Sequence, residues 1–111
     1  MAVFINSRAD EVNALLKGDI DHHNAPAMRE AIDEAVELKR PKVLNIDFSE
    51  VTFMDSSGIG LVMGRYRTVN ALGGELVIKN LSPQSYKVMR LAGVEKIARL
   101  EKIPQEEGKT I

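Results

Sequence analysis

Between two segments of helical pattern stands Val43-Leu44-Asn45-Ile46-Asp47-Phe48, nearly continuous in apolar residues. A run of that kind predicts a central strand, covered by other elements on both sides. A chain of 111 residues has room for one such strand and its neighbours, and for one domain. At that size roughly 65% of the unfolded surface can be buried, enough for one core without covalent staples.

The flanking segments supply the partners. Ala2 to Ser7 predicts a short strand, Ala9-Asp10 a turn, and the alternation of Val12, Ala14 and Leu16 with Asn13, Leu15 and Lys17 a second strand ended by Gly18-Asp19. Asn24 to Leu38 predicts a helix, with Asn24 as its cap and Pro26 in the first turn. Met28, Ala31, Ile32, Ala35 and Val36 fall on its inner face, and Pro41 closes it. A turn from Ser49 to Phe53 then leads to a second helix, about Ser57 to Leu72, stopped by Gly73-Gly74. Glu75 to Lys79 predicts a strand, Ser82-Pro83 the cap of a third helix to Leu91, Gly93 its stop, and Ala98 to Leu100 a last short strand. The order ββαβαβα(β) predicts an α/β fold: a mostly parallel sheet with an antiparallel start. The chain, 1–111, reads as one domain, with about 101–111 as a frayed tail or single turn around Pro104 and Gly108.

Composition narrows the function. With no Cys there is no disulfide, thiolate nucleophile or Cys–zinc site. Fifteen basic against 16 acidic residues give a net charge of -1, with no basic footprint for nucleic acid. No apolar run approaches the ~20 residues of a bilayer span, and Met1 to Asn6 lacks the pattern of a signal peptide, so a cytoplasmic protein is expected.

Phe53-Met54-Asp55-Ser56-Ser57-Gly58-Ile59-Gly60-Leu61 sits where a strand feeds a helix, the place where open α/β sheets put their sites. Ser56 or Ser57 can be a helix cap and nothing more. Gly60 and Gly64 give up roughly 2 kcal/mol of helix propensity between them. At 100° per residue, Ile59, Val62, Met63 and Tyr66 are expected to face the core, and Ser57, Gly60, Gly64 and Thr68 to face outward with Leu61 raised beside them. That face is either packed against another part of the same chain or bare for a docking protein. A phosphate on Ser56 would meet free amides and the helix dipole, and would add about -1.5 to -2 charges beside Asp55 at the edge of the face.

Asp21-His22-His23-Asn24 matches the signature of DHH phosphoesterases, which would use Asp19, Asp21 and His22 with metal. With two His in the whole chain, a two-metal cage cannot be completed. Asp19 and Asp21 instead suit an exposed loop, where either carboxylate could pair with an Arg on a partner. No nucleophile elbow surrounds Ser56 or Ser57, Gly108-Lys109-Thr110 lacks the rest of a P-loop, and Asn6-Ser7-Arg8 lacks the acidic pair of a receiver domain. No catalytic, metal or cofactor site emerges.

Gly18-Asp19-Ile20-Asp21-His22-His23, Phe53 to Gly60, Gly64-Arg65-Tyr66, Gly73-Gly74 and Leu81-Ser82-Pro83 together resemble the anti-sigma-factor antagonists of the STAS family, of the stage II sporulation protein AA type, from about Val3 to Leu100. The resemblance implies a single mixed sheet, first strand antiparallel, with a helical layer. It implies partner switching: the unphosphorylated antagonist binds an anti-sigma factor, itself a GHKL-type serine kinase, and frees a sigma factor. Phosphorylation on the first Ser of the pair releases the antagonist, and a PP2C-type phosphatase reverses this. Ser56 matches the phosphorylated position, Asp21 the loop acid that contacts the kinase, and Ser57 and Gly60 the docking surface. With the geometric reading of the helix, the expected partner-binding set is Asp21, Asp55, Ser57, Gly60, Leu61 and Gly64. The resemblance implies no cofactor and no catalytic residue. The same switch could serve a general-stress or signalling-complex STAS domain, with another sigma factor or none.

Overall fold

The computed structural model of the protein describes residues 2–104, beginning with a hairpin: β1 (Ala2–Arg8) turns at Ala9-Asp10 into β2 (Glu11–Ile20). There follow α1 (Ala25–Lys39), β3 (Val43–Met54), α2 (Ser57–Ala71), β4 (Glu75–Leu81), α3 (Pro83–Leu91), a 3-10 turn at Val94–Lys96, and β5 (Arg99–Lys102). The five strands lie in chain order in one sheet, β1 antiparallel to β2 and every later pair parallel. The expected α/β order and mixed sheet are what the chain adopts. The expected tail at about 101–111 begins instead within β5, and its remainder, 105–111, lies outside the described residues.

Sequential strand order explains the layering. Right-handed crossovers that all step in one direction place every helix on the same face of a sheet. Accordingly Met28, Ile32 and Val36 of α1, Leu61, Val62 and Val69 of α2, and Met89 of α3 join one buried cluster with Val12, Ala14, Leu16, Leu44, Ile46, Phe48, Leu76 and Ile78. The central run is therefore not covered by helices on both sides as its composition predicts. Leu44, Ile46 and Phe48 point into the core, and the two polar residues between them point to the other face, as a period of two requires. There Asn45 is only 3% exposed, because its Nδ2 donates across the sheet to Glu11 Oε1 (2.7 Å) and Asn13 Oδ1 (2.9 Å). Asp47 Oδ1 accepts from Asn80 Nδ2 at 2.9 Å.

β2 and β3 run well past their expected ends, and this positions the site. Gly18 (φ 100°) does not end β2 but lies at a register shift within it, and the strand continues to the buried Ile20. Ser49 to Phe53 is not a turn but the second half of β3. Its polar composition reads as loop because, past Lys17 and Asp47, β2 and β3 pair only with each other, as a two-stranded ribbon half open to water. Gly18 pairs with Val51, Asp19 with Phe53 and Ile20 with Met54.

Candidate functional site

The ribbon delivers two loops to one place. The Asp55 N–H donates to the Ile20 carbonyl at 3.0 Å, so the turn into α1 and the turn into α2 are stitched together where the ribbon ends. Thr52 Oγ1 donates to Asp19 Oδ1 at 2.7 Å, and Asn24 Nδ2 donates to the Asp19 carbonyl at 3.2 Å. Asp21 Oδ1 accepts from the N–H groups of His23 (3.1 Å) and Asn24 (2.8 Å). Asp21, not Asn24, therefore caps the entry to α1, since the Asn24 side chain is turned back toward Asp19.

The same substitution of roles occurs at α2. Asp55 Oδ1 accepts from Ser57 N at 2.7 Å, while Ser56, at the cap position, makes no side-chain capping bond and is exposed. The Ser57 N–H and, after it, the Ser57 hydroxyl hold the Asp55 carboxyl below its ordinary value, against a smaller opposing effect of burial, with the charge of His22 assisting. The next amides are also engaged: Gly58 N–H donates to Asp55 O at 3.0 Å, and Ile59 and Gly60 N–H donate to Ser56 O at 3.1 and 3.3 Å. Of the amides at the head of α2, those of Ser57 to Gly60 are thus already engaged, which leaves the Ser56 N–H as the free one among the described residues. A phosphate there would face an ionised Asp55 rather than a ready anion nest.

α2 is rotated from its expected orientation. Gly58, Leu61, Val62, Arg65 and Val69 are buried, whereas Ile59, Met63 and Tyr66 pack half-buried at the margin of the core. Leu61, expected to stand raised on the outer face, is 4% exposed and belongs to the core. The physical reason is the burial of Leu61, Val62 and Val69 against the sheet, which carries Arg65 inward with them. Packing α2 beside α1 brings the Arg65 guanidinium, 7% exposed, to an Nε–Oδ1 distance of 2.7 Å from Asp33. The contact is an ion pair by distance, but the N–H is not aligned on the oxygen, leaving Arg65 Nε, Arg65 Nη1 and Asp33 Oδ1 without a hydrogen bond. Leu61, one turn before Arg65, is buried with it. Burial lowers the Arg65 pKa, Asp33 opposes this, and the like charge of Arg29 adds to the lowering.

The outward stripe of α2 is Ser56, Gly60, Gly64 and Arg67. Among the described residues a Cβ built at Gly60 or Gly64 would meet nothing within 4 Å, so these glycines are not making room for any described part of the chain. Gly58 differs: a Cβ there would collide with the Met54 side chain. Beside the stripe runs an open groove of about 460 Å³. The α1 wall carries Ala25, Pro26 and Arg29, the α2 wall Ser57, Gly60, Gly64 and Arg67, and Leu61 and Arg65 also line it. Of the expected set, Asp21, Asp55, Ser57, Gly60 and Gly64 are brought to this end of the fold, and Leu61 lines the groove as a core residue. Arg29 and Arg67 were missed by sequence reasoning. Arg67 could have been found, being seven residues beyond Gly60 on the same stripe; Arg29 carries no such signal, because only packing sets α1 beside α2.

No three His, Asp or Glu side chains gather into a metal-binding group among the described residues, and Asp21 Oδ1 is occupied by backbone donors. No described helix is long and apolar enough to cross a membrane.

Comparison with known proteins matches residues 14–107 to the STAS domain. An anti-sigma F factor antagonist of Paenibacillus polymyxa is 33% identical over 82 residues, 74% of this chain and 70% of the relative. An anti-sigma-B factor antagonist of Listeria monocytogenes is 31% identical over 97 residues, 87% of this chain and 84% of the relative. The anti-sigma factor antagonist SpoIIAA, solved unphosphorylated, superposes with a TM-score of 0.72 at 30% identity, covering 96% of this chain and 92% of its own. The phosphorylated Bacillus SpoIIAA gives 0.71 at 31% identity, covering 96% and 94%.

Proposed function

Because the chain belongs to the STAS-domain family, we propose that it is an anti-sigma-factor antagonist, switched by phosphorylation of Ser56. In its unphosphorylated form it docks on an anti-sigma factor and so frees a sigma factor. That partner is also a serine kinase of the GHKL type, which phosphorylates Ser56 and ends the association. A PP2C-type phosphatase restores the hydroxyl, and the exchange takes place in the cytoplasm. The docking surface is the stripe of Ser57, Gly60 and Gly64, flanked by Asp21 and Asp55, with Leu61 shaping the groove from below.

One observation carries this reading: Ser56 is exposed at the head of a bare helix face while Asp55 does the capping, so its hydroxyl is left for chemistry. Phosphate would add about -1.5 to -2 charges next to an already ionised carboxylate, with the nearest backbone amides engaged. A partner fitted to the bare, uncharged first turns of the helix, Ser56 to Gly64, would meet bulk and unpaired charge, and no refolding is required. The relatives named as antagonists, and the SpoIIAA structure in two phosphorylation states, support it. The Listeria relative equally supports a general-stress version in which the same switch controls a different sigma factor.

The test is to incubate the protein with the anti-sigma factor encoded in the same genome and ATP, and to locate added phosphate by mass spectrometry. Ser56→Ala should bind the partner and take no label. Full labelling of that variant, or equal affinity of the phosphorylated and plain forms, would overturn the proposal.

A further inference from the structure

The groove beside the glycine stripe has a charge character that a bare docking face does not require. Arg29 enters it from α1, Arg67 from α2, and Arg65 lies between the helices, with His22 at the end nearest the ribbon. Among the described residues no Asp or Glu lines it. Asp33, the carboxylate paired with Arg65, does not itself line it, and among the described residues neither Arg29 nor Arg67 forms a salt bridge. The chain as a whole is slightly acidic, at -1, so the concentration of guanidinium groups here is local. Two exposed arginines thus line the groove from different helices, with the buried Arg65 between them.

We propose that this groove receives an acidic side chain of the anti-sigma factor, its carboxylate held between Arg29 and Arg67. The inference rests on the docking function proposed above and adds the chemistry of the partner. A chain segment lying on Gly60 and Gly64 passes directly over the groove, because both glycines are part of its wall. A guanidinium is the side chain best matched to a carboxylate, which it grips through two parallel N–H donors. Placing the charge at the groove also gives long-range attraction, which raises the association rate and makes it sensitive to salt. Arg65, tied to Asp33 and buried, serves as a fixed positive background rather than as a direct contact.

The experiment measures binding of the full chain to the anti-sigma factor of the same genome by surface plasmon resonance. Wild type is compared with Arg29→Glu, Arg67→Glu, the double variant, and Arg29→Lys/Arg67→Lys. Both positions are exposed, so thermal unfolding should be unchanged in all of them. Each reversal is expected to weaken binding about tenfold and the pair about a hundredfold, mainly through slower association. The double Lys variant should keep most of the affinity. Wild-type binding should weaken steeply between about 50 and about 500 mM salt, and the double reversal should lose that dependence. Wild type that binds while the double reversal binds equally well would overturn this inference alone; wild type that does not bind at all would overturn the docking function with it. If inorganic phosphate is retained by wild type but not by the double reversal, while partner binding is unaffected, the groove holds a small anion and the proposal fails.

Discussion

Replacing Gly60 and Gly64 by alanine should make the protein more stable and a worse binder at once. Among the described residues, and apart from the helix's own backbone, neither position has an atom within 4 Å of an added Cβ, so the methyl groups meet no clash and lose no packing. What remains is helix propensity, which favours alanine over glycine by about 1 kcal/mol at each site, about 2 kcal/mol together. For 111 residues at about 2.1 cal/mol/K each, the unfolding entropy is about 230 cal/mol/K, so the double variant should melt about 9 °C higher. Gly74→Ala is the internal control. Its Cβ would stand 2.8 Å from the Pro41 carbonyl oxygen and 2.8 Å from Val69 Cγ2, so this change should lower the melting temperature. A partner that packs closely on the stripe should lose about tenfold or more in affinity from the two methyl groups, the effect of overpacking a fitted surface. Circular dichroism melts and calorimetric titration with the anti-sigma factor measure the two effects separately. A double variant that melts lower would mean that something occupies the space above the glycines. One that melts higher yet binds as well as wild type would refute the docking face.

Further outcomes follow from the ion pairs and caps. Asp55→Asn should lower stability at neutral pH. Because the folded state holds the Asp55 pKa down, its contribution is present above the unfolded-state value and is lost as pH falls through the lower folded value. Melting curves of wild type and variant should therefore converge in acid; a gap that persists or widens there would refute the cap assignment. Asp33→Asn should cost about 2 kcal/mol by urea denaturation, less than for a fully buried pair because the Asp33 side chain is 36% exposed. Arg65→Met, which removes the cation together with its need for a partner, should stay within about 1 kcal/mol of wild type. The opposite ranking would show that the pair is a net stabiliser.

The period-two stretch of β2, the inner face of α1, the Ser82 cap and the Gly93 stop were all legible in the sequence. Each depends on residues within a few positions of one another: Ser82 Oγ accepts from Ser85 N at 3.1 Å, and Gly93 has φ 83°. Gly60 and Gly64 were legible for the same reason, since the pitch of one helix places them on one face, whereas Ser56 stood out by its place just ahead of that helix and by the family resemblance. The far halves of β2 and β3 were not, because their polar residues are stable as strands only through each other, and that pairing joins positions more than thirty residues apart.

Alternation of strand and helix patterns along the chain determined the architecture, and local helix geometry determined which hydroxyl and which glycines could share a face. Tertiary packing alone decided the rest. It turned α2 so that Leu61 faces inward and Arg65 reaches Asp33, gave the capping of α1 and α2 to the preceding aspartates, and set Arg29 opposite Arg67 across a groove. Those outcomes depend on how two helices lie against one face of a sheet, and no periodicity within a single helix encodes the distance to its neighbour.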